Sequence, residues 1–338
     1  MKSSNLSHYL IAALLTITTT FTTSAIASTT NTNAALVDSL SGYWQNFTNP
    51  AETPVKLTSI PTQYDIVPVA FADLSSDGTV SFTLQGPPYQ ATPDSIATFK
   101  KDIKALQDKK IKVLISLGGQ NGAYQVNSQQ QNRKFIDTLK QVIETYGFNG
   151  VDYDFEHGLT VENSRYLVEA TQELKNYFKS KGKEFFVTIA PETLDVYFQY
   201  FSNGKYDKLI QAHLVDRVQV QLYNSGCMPG INGPACYVQG SKDFIVSQAD
   251  STIQVWMKHG IKNAAEKYVA GLPATIQAAG GGYVEPAVIN EAMQCLQTKQ
   301  KCDSYVPTQA YPMLKKVMTW DINWDAKENY KFVKTVRG

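Results

Sequence analysis

Phe148-Asn149-Gly150-Val151-Asp152-Tyr153-Asp154-Phe155-Glu156 reads as a β-strand, with Val151, Tyr153 and Phe155 alternating against Asp152, Asp154 and Glu156. Period-two alternation puts the three carboxylates on one face and the three apolar side chains on the other. Successive acids on that face lie about 6.6 Å apart along the strand. Like charges at that spacing repel and cost stability unless protons are shared among them. Such a strand is built for chemistry rather than for packing. A calcium loop starting at Asp152 would need Gly at its sixth position and Glu at its twelfth, where this chain has His157 and Asn163. A solvated charged strand is disfavoured by the apolar neighbours and the central position in the chain.

Outward from this run, short β-rich segments alternate with amphipathic ones. Strands are expected at Leu40–Trp44, Asp65–Ala72, Lys112–Leu117, Gly150–Phe155, Glu184–Ala190, Arg217–Leu222, Tyr268–Leu272 and Lys316–Trp320. Helices are expected at Pro93–Lys109, Asn132–Tyr146, Val161–Lys181, Ser247–His259 and Glu285–Gln300. Thr92 is placed to cap the first of these, with Pro93 in its first turn, and Gly147 to stop the second. This alternation predicts an α/β fold, a single-domain (β/α)8 TIM barrel. The rival, a doubly wound sheet binding a nucleotide, lacks a Gly-rich phosphate turn after the early strands. In the barrel the acids point inward, Asp152 deepest and Glu156 at the mouth. A proton shared between Asp152 and Asp154 would let Asp154 turn toward Glu156. Burial and a neighbouring negative charge would raise the Glu156 pKa, which suits a general acid. Long loops after strands two, six and seven (residues 73–92, 225–240 and 274–285) would shape the catalytic end.

The chain has 338 residues. Lys2 and His8, the apolar run 9–15 and Ala25-Ile26-Ala27 form a signal-peptide pattern, with cleavage expected after Ala27. A polar, disordered leader is expected over 28–36 and the catalytic domain over 37–338. The product is expected to be secreted or periplasmic, with no stable membrane insertion, and monomeric. A net charge of +1 gives no electrostatic case for nucleic acid. Four cysteines allow three pairings. In an oxidising compartment Cys227–Cys236 and Cys295–Cys302 are the expected disulfides, and no C-x2-C spacing suggests zinc.

The acidic run resembles the D-G-x-D-x-D-x-E signature of glycoside hydrolase family 18, the chitinases and their relatives, with Asn149 in place of the first Asp. Further segments match in order: Ser116-Leu117-Gly118-Gly119, Ala190-Pro191-Glu192, Gln221-Leu222-Tyr223-Asn224 and Met318-Thr319-Trp320-Asp321-Ile322-Asn323-Trp324-Asp325. Each ends a predicted strand. Acids on one strand cannot flank a glycosidic bond as two-carboxylate retaining enzymes require, and the resemblance implies the substrate-assisted exception. Glu156 would protonate the leaving oxygen and then activate water. Asp154, supported by Asp152, would bind the acetamido N–H, and Tyr223 would orient its carbonyl as the nucleophile. The implied substrate is chitin or a chitooligosaccharide, and no metal or organic cofactor is implied. Trp320 would form the floor under the reacting sugar; Gln221, Asn224, Trp44, Tyr124 and Glu192 are further groove candidates. Ser116 is expected to hydrogen-bond Asp152, Gly118 and Gly119 to permit close backbone packing, and Trp256 to lie in the core. Alternatives are an endo-β-N-acetylglucosaminidase acting on N-glycans and a chitin-binding lectin without catalysis; retention of the acid at Glu156 disfavours the lectin.

Overall fold

A computed structural model describes residues 35–196, 204–232 and 236–338. The expected signal peptide (1–27) and most of the expected leader (28–36) lie outside these residues. Residues Ala35–Gly338 make one unit. Its barrel strands are β1 (Ser39–Gly42), β2 (Ile66–Leu74), β3 (Lys112–Gly118), β4 (Gly150–Asp154), β5 (Phe186–Ile189), β6 (Arg217–Gln221), β7 (Tyr268–Pro273) and β8 (Lys316–Trp320). Each pairs in parallel with the next, and β1 pairs with both β8 and β2, so the sheet closes on itself. This is the (β/α)8 barrel that the alternating pattern predicts. Closure leaves no open edge and directs alternate side chains of every strand into the barrel.

Local signals set most boundaries. Thr92 accepts a hydrogen bond from the Ser95 N–H at the start of the helix Pro93–Asp108. Gly147, at φ 78°, ends the helix Gln129–Tyr146. That helix begins three residues before the predicted Asn132, where Ser128 caps it. The helix predicted from Ser247 begins at Lys242, capped by Ser241. Phe244, Ile245 and Val246 of its first turns are all buried, as are most residues that follow. A helix covered nearly all round has no polar stripe, so periodicity marks its start poorly. Trp256 lies in this helix, fully buried. The first strand is interrupted. β1 leaves β8 after Gly42, and Trp44–Gln45 continues beside β2 with Trp44 opposite Val69.

Both expected cysteine pairs are bonded. Cys227–Cys236 closes a hairpin in the loop after β6, and Cys295–Cys302 ties the end of the helix Pro286–Thr298 to the loop before β8. Among the described residues, no helix is long and apolar enough to cross a membrane.

Candidate active site

The acids of β4 descend from mouth to floor. Asp152 is 0% exposed and Asp154 4%, whereas Glu156 is half-buried. Asp152 is gripped from four other strands or strand ends. Oδ2 accepts from Tyr43 Oη (2.8 Å) and Ser116 Oγ (2.7 Å); Oδ1 accepts from Thr188 Oγ1 and Gln219 Nε2 (3.2 Å). Burial pushes its pKa up, and these four donors oppose the rise. Asp152 is satisfied by hydroxyl and amide donors, while Asp154 Oδ1 accepts from Gln221 Nε2 at 2.8 Å.

Burial holds the Asp154 pKa well above the ordinary carboxylate value, and the neighbouring charges of Glu156 and then Asp152 add to the rise. Burial also raises Glu156, against the Gln221 amide, which favours its charged form. Gln221 thus sits beside both upper acids: its Nε2 donates to Asp154 at 2.8 Å and to the Ala190 carbonyl at 3.0 Å. Gln221 lines the cleft, as expected of a groove residue, with its amide N–H groups turned to these two acceptors. Tyr223, two residues on, is nearly buried; desolvation and then the Asp154 charge raise its phenol pKa strongly, so the hydroxyl keeps its proton.

The acids open into a cleft of about 1150 Å³. Its floor is Trp320, stacked on Phe71 at 5.9 Å between ring centroids and tilted against Tyr43 at 5.4 Å. Tyr223 and Asn224 form one wall, with residues 277–280 of the loop after β7. The other wall is the loop after β3, from Gly118 to Ala123. Gly118 sits at φ 117°, where a Cβ would collide with the Asp154 carbonyl, and the Gly119 N–H donates to that carbonyl at 2.7 Å. These two glycines let the wall lie against the acid strand. Phe47, Asn49, Glu52 and Trp324 extend the cleft at one end. Trp324 belongs to the motif that ends the eighth strand, whereas Phe47, Asn49 and Glu52 lie after the first strand, where the sequence carries no motif.

Three groove candidates are displaced. Trp44 is 1% exposed; its Nε1 donates to the Val55 carbonyl at 2.7 Å and its ring packs on Tyr89 and Phe99. It belongs to the barrel–helix core because it points to the opposite face from Tyr43. Tyr124 is equally buried, against Phe135 and Phe155. Glu192 is exposed outside the lining of the cleft, 4.0 Å from Lys205. Trp44→Ala is therefore expected to cost about 3–5 kcal/mol of stability while leaving oligosaccharide affinity of the folded protein unchanged. Urea unfolding and calorimetric titration check the pair; weakened affinity at unchanged stability would return Trp44 to the groove. Among the described residues, no group of three or more His, Cys, Asp or Glu side chains is placed to hold a metal ion.

A closed parallel barrel with stacked acids on its fourth strand defines a class, and the comparisons agree with it. The chain belongs to the glycosyl hydrolases of family 18, whose model matches residues 39–336. It is 36% identical over 323 residues to Chitinase Chi52 of Paenibacillus xylanexedens and 37% identical over 324 residues to Chitinase D of Niallia circulans. Each match covers 87% of this chain and 60% of the relative, so the chain spans about 60% of the length of these two proteins. The crystal structure of a family 18 chitinase from Chromobacterium violaceum superposes with a TM-score of 0.76 at 32% identity, covering 88% of this chain and 82% of that one.

Proposed function

We propose that this chain is an exported chitinase that hydrolyses β-1,4 linkages between N-acetylglucosamine units, with retention, using the substrate's own acetamido oxygen as nucleophile. The observation that carries the reading is the acid ladder of β4, which ends at a half-buried Glu156 in a cleft floored by Trp320 and walled by Tyr223. A raised pKa leaves Glu156 protonated above the usual carboxylate range, ready to protonate the leaving oxygen. Activity therefore falls as pH rises through that pKa, because only the protonated form is an acid. Asp154, held by Gln221, receives the acetamido N–H and balances the positive charge of the oxazolinium ion. The Tyr223 hydroxyl aligns the acetamido carbonyl for attack. Glu156, now a carboxylate, takes a proton from the incoming water.

The cleft exceeds the roughly 300–1,000 Å³ of small-molecule sites, which suits a chain of sugars. Two disulfides and the signal-peptide pattern at the N-terminus support export. The decisive assay offers the protein N-acetylglucosamine oligomers beside a high-mannose glycoprotein. Release of short oligomers with the β-anomer formed first is expected; release of the glycan alone would make the chain an endo-β-N-acetylglucosaminidase. Asp154→Asn and Tyr223→Phe should each cut oligomer turnover by about 10² or more. Full turnover in either would remove the acetamido group from the mechanism.

A further inference from the structure

β4 stops pairing before its last acid. Its ladder ends at Asp154 opposite Gly118 of β3 and at Tyr153 opposite Ile189 of β5. Phe155 and Glu156 run on beyond the barrel rim, yet Glu156 must be held to within a fraction of an ångström to work as an acid. Two consecutive residues from the segment after β5 meet that overhang. Tyr206, fully buried, accepts from the Phe155 N–H through Oη at 2.7 Å and donates toward the Tyr153 carbonyl at 3.2 Å. Lys205 donates through Nζ to the Glu156 carbonyl at 2.9 Å. The same ammonium pairs with Asp195 at 3.0 Å, and its side chain is 12% exposed. Asp195 Oδ2 in turn accepts from the Glu192 N–H.

We propose that Lys205 and Tyr206 are positioning residues for Glu156: the pair grips the main chain at Phe155 and Glu156, in the gap between the ladder's end at Asp154 and the next bridge at His157, and Lys205, paired with Asp195, fixes a cation beside the proton donor. This rests on Glu156 being the acid of the proposed hydrolysis. A lysine at this place does something that a second tyrosine could not. Glu156 becomes an anion midway through the reaction, beside Asp154. A poorly hydrated cation on its own carbonyl favours that anion, and the screening of solvent is weak at such burial. Lys205 lowers the pKa of both Asp154 and Glu156. The charged groups around it are Glu192 and Asp195 from the turn after β5 and Asp154 and Glu156 at the end of β4. Glu192 opposes it by raising Glu156, His157 assists it, and Asp195, pushed up to about 6 by burial, is charged above that pH.

The signs of two substitutions follow. Lys205→Met removes a cation, so Glu156 keeps its proton to higher pH and the alkaline limb of kcat/KM moves up by about half a unit or more. Asp195→Asn removes the counter-ion, and the limb moves down. Lys205→Arg restores the wild-type limb. Tyr206→Phe loosens the same main chain without changing charge, lowering kcat about tenfold with the limb in place. The limb is read with N-acetylglucosamine oligomers, and Glu156 is also titrated directly by carbon NMR on glutamate-labelled protein, which needs no turnover. Opposite shifts from Lys205→Met and Asp195→Asn are the expected result. An unmoved limb in both, or shifts in one direction, overturns the proposal; so does Tyr206→Phe at wild-type kcat. Should Lys205→Met not fold, Asp195→Asn and Lys205→Arg still decide it. Failure of the hydrolase reading itself looks different: the wild-type protein then releases no sugar, or Glu156→Gln releases it undiminished.

Discussion

Glu156→Gln is expected to lower turnover of N-acetylglucosamine oligomers by about 10³-fold, within the span for loss of a general acid, while oligomer affinity and Tm stay at wild-type values. The amide matches the protonated carboxyl in shape and charge, so contacts with a bound sugar survive. It offers no acidic proton to the leaving oxygen and cannot later accept one from water. Glu156 is half-buried, and its negative charge raises the Asp154 pKa. A neutral side chain there relieves repulsion, so stability should hold or rise slightly. Calorimetric titration with an oligomer and scanning calorimetry accompany the kinetic measurement. Turnover within a factor of ten of wild type would remove Glu156 from the role, and with it the argument for the β4 ladder as a catalytic device.

An oligomer whose reacting sugar carries a free amine in place of the acetamido group should be cleaved at least about 10⁴-fold more slowly, since the attacking oxygen is gone. An intramolecular nucleophile of this kind is worth effective molarities of roughly 10⁵–10⁸ M, and nothing on β4 can take its place. Asp154 and Glu156 emerge from one strand on one side of the sugar, and Asp154 is tied to Gln221. Asp152 is fully buried and bound by four donors. Mass-spectrometric product analysis on defined, partly deacetylated oligomers reads the position of each cut relative to the remaining acetyl groups. Cuts following free-amine sugars at the normal rate would require a nucleophile from the protein.

The groove candidates show how far the chain could be read without coordinates. Tyr43 and Trp44 are neighbours, so on a strand they must face opposite ways. Trp44 shares its parity with Leu40 and Gly42 and points to the helices, where Phe99 and Tyr89 cover it. Tyr43 shares parity with Ser39 and Ser41 and points to Asp152. That parity signal is present in the sequence, and it outweighs the size and aromaticity that make Trp44 look like a sugar platform. Tyr124 and Phe47 carried no comparable signal, because both lie in loops where no period applies. Lys205 and Tyr206 were equally silent. Their importance comes from standing beside a strand end some 50 positions earlier in the chain.

Taken alone, the order of amino acids determined what depends on near neighbours: the alternation that sets the acids on one face, the caps at Thr92 and Gly147, and the short disulfide loops. Those features follow from backbone geometry over a few residues. Ser116 is expected on Asp152 from its motif and is found there; tertiary structure alone decided the other donors. Asp152 is reached by Thr188 at a separation of 36 residues, Gln219 at 67 and Tyr43 at 109. Such contacts exist because closing the sheet brings the inward faces of all its strands around one axis, and no local pattern in the chain encodes which side chains will then converge.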